Sequence, residues 1–436
     1  MKSKKISVGR KKTNPFCALC VQGVNFYAKP IPQKGVKMKY WGMFFAVLVS
    51  AGVLQAAEIT AVPSVRHEQR LAAHRALGAD APSTFGTDYL HFKQDLQKEW
   101  GLSVGLDASF TAERSAPNGK QTAIQSIYYP YLTWNLWQDG AWGRGQINVN
   151  YNLIRYWGAP ASGLQNRTGQ ALAFNDYPSA EEFFSQASYT HTLPDAWDWL
   201  SVTVGQFPLY NFDGTPYLSN QQTALMNYAL AQNASSVYPT AGFGAYVQAN
   251  PGAWSFSIGY QDASNLSGQT IRLRSAFDGH YTAFGSAQWN PKGRLGAGQY
   301  GALVYYQPAV SGQDEYSFGV SLNAQQNLGE KWAVFARANG ASGAATAVKR
   351  SYAVGAAWLN PLERNAQDAL IIGAAYNRLN GGFYPPAHGE GTLEMQYIWG
   401  IGRFFTITPD IQFYPKTASG GRKSAAVFSL RTGINL

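Results

Sequence analysis

Apolar and polar residues alternate with period two through most of this chain. The cleanest run is Gln146-Ile147-Asn148-Val149-Asn150-Tyr151-Asn152-Leu153, where four amides share one face and Ile147, Val149, Tyr151 and Leu153 share the other. Successive side chains of a β-strand point to opposite faces, so such a run predicts a strand between two unlike solvents. The same alternation recurs at Leu102–Thr111, Trp254–Gln261, Tyr316–Asn323, Tyr352–Trp358, Phe405–Phe413 and Phe428–Leu436. Taken together, these runs predict sixteen strands, near 100–114, 126–138, 145–157, 181–192, 198–207, 242–250, 253–261, 280–290, 298–307, 315–326, 332–339, 350–359, 369–379, 390–401, 404–414 and 424–436. A further strand near 269–274 would give seventeen, an odd number that closes poorly in a membrane barrel.

The connections decide which face is wet. From the second connection onward, alternate ones are turn-like: 139–144, 193–197, Pro251-Gly252, 328–330, 360–368 and Gly402-Arg403. The intervening ones are mostly long, with 158–180, 208–241 and 262–279 the longest. Short turns at one end and long loops at the other characterise outer-membrane barrels, whereas a soluble sandwich has no reason to sort its loops by parity. The expected fold is therefore all-β, a transmembrane antiparallel β-barrel of about sixteen strands over 100–436, with apolar side chains on lipid and amides on water. An even strand count puts both barrel ends on the short-turn, periplasmic side. Tyr128, Tyr129, Tyr131, Trp137, Trp142, Tyr156, Trp157, Trp197, Trp199, Trp358 and Trp399 lie near strand ends, where interfacial aromatics belong.

The N-terminus departs from this pattern. Residues 58–99 read as a short helical periplasmic segment, with one helix over Ser64–Leu77 and a second over Asp88–Glu99. His67, His74 and His91 fall there and read as solvated surface histidines rather than metal ligands. Upstream, Met38-Lys39, an apolar run to Leu54 and Gln55-Ala56-Ala57 have the charged start, greasy middle and small-residue end of a signal peptide over 38–57. A membrane anchor would need ~20 apolar residues. Residues 1–37 then read as an upstream extension that takes Cys17 and Cys20 with it, leaving no disulfide and no redox or metal pair in the barrel.

Composition changes one further conclusion. The chain holds 35 basic and 25 acidic residues, but ten of the basic ones and none of the acidic ones lie in 1–57, so the exported part is neutral and nucleic acid is not an expected partner. Charged residues make up only 14% of the chain. The partners expected are outer-membrane lipid and a small solute, with the location the outer membrane of a Gram-negative cell.

About sixteen strands enclose an aqueous channel rather than a packed interior. Inward parity assigns Asp107, Glu113, Gln146, Asn148, Asn150, Asn152, Arg337, Glu394, Asp410 and Arg431 to its lining. Amides and hydroxyls with isolated charges suit a neutral, hydroxyl-rich solute better than a single-sign ring of charge would. Arg431, at a height similar to Glu394, Asp410 and Asp107, is expected to contact at least one of these carboxylates, and Arg337 to face the channel. Loops 158–180 and 208–241 are expected to fold inward, with Tyr210, Phe212, Asp213, Tyr217 and Asn220 as constriction candidates.

Several stretches resemble the OprB-type carbohydrate-selective porins. They are Val204-Gly205-Gln206-Phe207, Tyr238-Pro239 before Gly242-Phe243-Gly244, Asn360-Pro361-Leu362 with Asp368 to Gly373, and Leu393-Glu394, Tyr397 and Thr408-Pro409-Asp410-Ile411-Gln412 followed by Leu430-Arg431. The likeness runs from about Gly101 onward, and the Pro-Asp-Ile-Gln segment is its most specific part. The resemblance implies a sixteen-stranded porin that passes monosaccharides by passive diffusion. Such barrels commonly end in Phe, where this chain has Leu436, which keeps an apolar last residue for the barrel-assembly machinery to read through the C-terminal strand. No catalytic residues, cofactor or metal are expected. An outer-membrane barrel enzyme would need a nucleophile with a positioned base, yet His191, His280 and His388 are scattered among different connections and neither G-x-S-x-G nor H-E-x-x-H occurs. A non-transporting structural or adhesin barrel is the other alternative, and the oligomeric state stays open.

Overall fold

A computed structural model of the chain describes residues 84–116, 122–343, 346–385, 388–418 and 424–436. The upstream extension, the signal sequence and the helix expected over Ser64–Leu77 lie outside the described residues. The first described element is helix α1, Thr84–Trp100, which begins before the expected Asp88 and runs through the expected Glu99. It rests at the short-turn opening of the barrel. Tyr89 packs edge-on against Phe404 at 5.8 Å, and the Lys93 ammonium stands 5.9 Å from the Tyr131 ring.

The alternation folds into sixteen long strands: β1 Leu102–Ala116, β2 Thr122–Gly140, β3 Gly143–Tyr156, β4 Glu181–Thr192, β5 Leu200–Phe207, β6 Gly242–Ala249, β7 Trp254–Asp262, β8 Tyr281–Trp289, β9 Gly296–Gln307, β10 Ser317–Leu328, β11 Trp332–Ala341, β12 Val348–Leu359, β13 Ala369–Leu379, β14 Gly389–Ile401, β15 Phe405–Lys416 and β16 Ala425–Asn435. Each pairs antiparallel with its sequence neighbours. A two-residue ladder at Lys292–Gly293 belongs to the turn before β9, and residues 269–274 form no strand. Closure comes from β1, which pairs with β2 on one side and β16 on the other, Asp107 opposite Asn435 and Ala116 opposite Ala426. A closed sheet leaves no backbone edge for lipid to contact.

Burial is inverted relative to a soluble protein. On β14, Leu393, Met395, Trp399 and Ile401 are 40–49% exposed while Thr392, Glu394 and Gln396 are at most 2% exposed. Such an exposed apolar face is covered by hydrocarbon. Trp137, Trp142, Trp157, Trp197, Trp358 and Trp399 are exposed as an interfacial girdle requires. Tyr129, Tyr131 and Tyr156 correct that expectation. They share the inward parity of Gln125, and Tyr156 accepts a hydrogen bond from the Gln125 amide at 2.8 Å, because alternate residues of one strand cannot all face lipid.

The two longest connections fill much of the enclosure. Leu218, Leu225 and Leu230 of 208–241, with Ala171 and Leu172 of 158–180, pack on Phe335, Ala353, Ala357 and Ile371 of β11–β13. Each fully buried leucine contributes roughly 1.5–3 kcal/mol. Gly373 makes the contact possible, since a Cβ there would stand 2.4 Å from Leu225 Cδ1. A second cluster sets Phe207, Leu209 and Tyr238 against Tyr246, Phe284, Leu303 and Tyr305, with Phe212 at the edge.

Candidate functional site: the lumen and its loops

A buried loop must find partners for backbone N–H and C=O groups that no sheet satisfies. Here the wall supplies them, with its charges divided by sign. Glu394 on β14 accepts from the N–H groups of Met226 at 2.5 Å and Asn227 at 3.0 Å, and Glu390 accepts from those of Ala171 at 2.7 Å and Leu172 at 3.3 Å. Carboxylates thus take the loop donors.

Guanidinium groups take the loop acceptors. Arg431 on β16 donates to the carbonyls of Gln221 and Ala224, the latter at 3.1 Å, and to Gln396 at 3.4 Å. Arg337 on β11 donates to the Leu218 carbonyl and to Asn323 at 2.7 Å. Direct bonds from Arg431 therefore run to two loop carbonyls and to Gln396, where a carboxylate contact was expected. The reason is competition: unpaired loop carbonyls reach the guanidinium fork first, and five donors suit several acceptors at once.

Three of the constriction candidates, Asp213, Tyr217 and Phe212, turn to the wall, while Tyr210 and Asn220 make contacts within the loop. Asp213 receives Ser321 Oγ at 2.6 Å, Asn323 Nδ2 at 2.8 Å and Asn233 Nδ2 at 2.8 Å. Tyr217 stacks on Phe335 at 5.6 Å, Phe212 packs on Phe284 at 4.8 Å, and Tyr210 meets Tyr238 edge-on at 5.3 Å. Asn220 accepts from the Gln222 N–H at 2.8 Å and shapes the turn. On the wall, Glu113 accepts from Asn175 Nδ2 at 2.8 Å, and Asp107 is buried opposite Tyr129.

The four amides of β3 take inward positions with distinct partners. Gln146 donates to Asn135 at 3.2 Å, Asn148 accepts from Thr133 at 3.2 Å, Asn150 donates to Gln186 at 3.5 Å and Asn152 donates to the Tyr177 hydroxyl at 3.2 Å. Of the partly exposed loop residues, Tyr177 bonds Asn152, Asn211 donates to Gln186 on β4 at 3.4 Å, and Tyr228 and Gln232 lie further along the loop. Tyr129 and Tyr177 approach to 6.5 Å, and Tyr210 and Tyr228 share Ser236 as a hydrogen-bonding neighbour. Burial holds the Tyr177, Tyr210 and Tyr228 phenols above their usual range, so they stay neutral donors. Asp176, beside them, accepts weakly from Gln221 N–H and Gln232, each at 3.4 Å, and desolvation raises its carboxyl to about 7.

Sequence reasoning missed Glu390, Asn175, Asp176 and Asn227. Glu390 was accessible, since it shares inward parity with Glu394 on one strand. The loop residues sit in segments without periodicity, where nothing marks the side that touches the wall.

A closed sixteen-stranded wall with a lipid-facing apolar surface and polar loops drawn into its lumen defines a porin of the outer membrane. Comparisons with known proteins agree. The model of the family "Carbohydrate-selective porin, OprB family" matches residues 270–436. Porin AaxA of Chlamydia abortus is 33% identical over 401 residues, 89% of each chain, and Porin AaxA of Chlamydia felis is 34% identical over 369 residues, 82% of this chain and 83% of that one. The high-pH structure of Pseudomonas putida OprB superposes with a TM-score of 0.68 at 16% identity, covering 80% of this chain and 97% of that chain, and so shares the fold. The chain belongs to the OprB family of carbohydrate-selective porins.

Proposed function

We propose that the channel passes small, neutral, hydroxyl-rich solutes of monosaccharide size by passive diffusion, along the side of the lumen between β2–β4 and the inward loops. The observation that carries this reading is the polar, partly exposed lining of that side: Gln146, Asn150 and Tyr129 on the wall, with Tyr177 bonded to Asn152 and Asn211 bonded to Gln186 from the loops. Aromatic faces accept the C–H faces of sugar rings, and amides exchange hydrogen bonds with hydroxyls as water does. Anchoring of Glu394, Arg431 and Arg337 to loop backbone keeps their charge engaged away from the solute. Passage through such a channel involves no reaction chemistry, and the C-terminal strand, apolar on its lipid-facing side, is the segment for the barrel-assembly machinery to recognise.

Swelling of proteoliposomes tests the selectivity. Neutral monosaccharides are expected to enter several-fold faster than anions and cations of similar size. Equal rates for all three would leave a porin and remove the carbohydrate preference.

A further inference from the structure

The lipid-facing wall carries a charged feature that the channel does not use. Arg350 on β12 and Arg378 on β13 are directly opposed in register, and both are exposed. Their row continues to Gly340 on β11 and Gly389 on β14, so no neighbouring side chain screens them. Like charges set opposite each other in a sheet repel. Among the described residues no carboxylate pairs with either guanidinium, whereas the exposed Arg155 on β3 pairs with Glu182.

The surroundings say what could neutralise them. One pleat repeat lower, Tyr352 opposes Tyr376, both 47% exposed, and a Cβ on Gly389 would lie 2.5 Å from Tyr376 Oη, so that hydroxyl reaches the arginine row. Lower still come Val354 and Ile372, and then the stacked Trp332–Trp358 pair at 5.3 Å. From Trp358 up to Arg350 the strand rises ~26 Å, or ~20 Å along the membrane normal at the usual tilt. That height is near the outer edge of a ~25 Å apolar band, where arginine stems lie on the wall and their heads reach the lipid phosphates.

We propose that Arg350 and Arg378, with the Tyr376 hydroxyl and the exposed Lys349, bind the phosphate groups of an outer-leaflet lipid. Guanidinium forks match phosphate oxygens two at a time, which converts the repulsion into a shared anion site. The greasy rows beneath distinguish a lipid from free phosphate, because only a lipid brings acyl chains to cover them.

The test is retention of bis-phosphorylated lipid A by delipidated, detergent-purified protein, read by native mass spectrometry. Retention is expected to exceed that of dephosphorylated lipid A by at least ~10-fold, the loss associated with about one charge-assisted contact. The double variant Arg350→Gln/Arg378→Gln should lose the same factor, while Arg155→Gln should match the native protein. Equal retention by the folded double variant overturns the proposal. So does displacement of the lipid by millimolar inorganic phosphate, which would mark a free-phosphate site. Should the double variant not fold, Arg378→Lys decides: it keeps the charge and loses the fork, so weaker retention supports the site and unchanged retention overturns it.

Discussion

Glu394→Ala is the sharpest perturbation of the lumen. In the native protein its carboxylate receives two backbone N–H groups of the inward loop, Met226 at 2.5 Å and Asn227 at 3.0 Å, in a fully buried position. A hydrogen bond to a charged group contributes about 1.5–3 kcal/mol, so the pair contributes roughly 3–6 kcal/mol to docking of this stretch. Water entering behind the loop would re-satisfy the freed N–H groups, which favours the lower end. At about 1.4 kcal/mol per decade, the detached state of residues 221–227 should still rise ~100-fold or more. Arg337 with Leu218, and Asp213 with Ser321, hold the rest of the loop, so the barrel itself should stay folded. Single-channel recording in planar bilayers reads the change directly. The variant should show frequent excursions to a larger conductance that the native channel rarely visits. Glu182→Ala, whose carboxylate pairs with Arg155 where both are exposed, should not. A variant trace with native conductance and noise would refute the view that wall carboxylates hold the loop.

Two further outcomes follow from the same geometry. Burial raises the Asp176 carboxyl from 3.8 to about 7, so the docked loop binds its proton more tightly than the free loop; docking is strongest below about pH 4, weakens as pH rises to about 7 and is flat above, a total of ~4 kcal/mol. Conductance excursions should therefore increase from pH 4 to 7 in the native channel and rise less steeply in Asp176→Asn, and an unaltered slope would assign it to another group. Gly214 has φ +124, and a Cβ on it would meet Leu218 O at 2.8 Å and Arg337 Nη2 at 3.0 Å. Gly214→Ala should cost about 1–3 kcal/mol and loosen the loop near Leu218, raising channel noise, whereas Gly382→Ala, with its nearest contact at 3.5 Å, should be silent.

The wall was legible in the sequence because lipid and water impose a two-residue period that survives in every long strand. Ile147 and Asn148, or Met395 and Glu394, could be sorted to opposite faces by counting alone. Parity also placed Arg431, Arg337 and Glu394 inward. It could not say what they hold there, since their partners are backbone groups of loops without periodicity. Tyr217 and Phe212 show the same limit. An aromatic residue in a long loop reads equally as a solute contact or as packing, and only the position of Phe335 or Phe284 on a distant strand turns it to the wall. The tyrosines of β2 erred the other way: nearness to a strand end suggested an interface, while the alternation already placed Tyr129 and Tyr131 inside.

The seam between the first and last strands constrains biogenesis. Leu106 and Leu436 exchange both backbone hydrogen bonds, at 3.1 and 2.9 Å, and the ladder beyond them joins residues 107–116 to 426–435. A nascent polypeptide therefore cannot seal until its final residues have emerged, by which time the opening strand has waited with one side unsatisfied. Chaperoning of that waiting edge is a requirement of the topology, and a lesion confined to the last few residues should block maturation as thoroughly as one in the first strand.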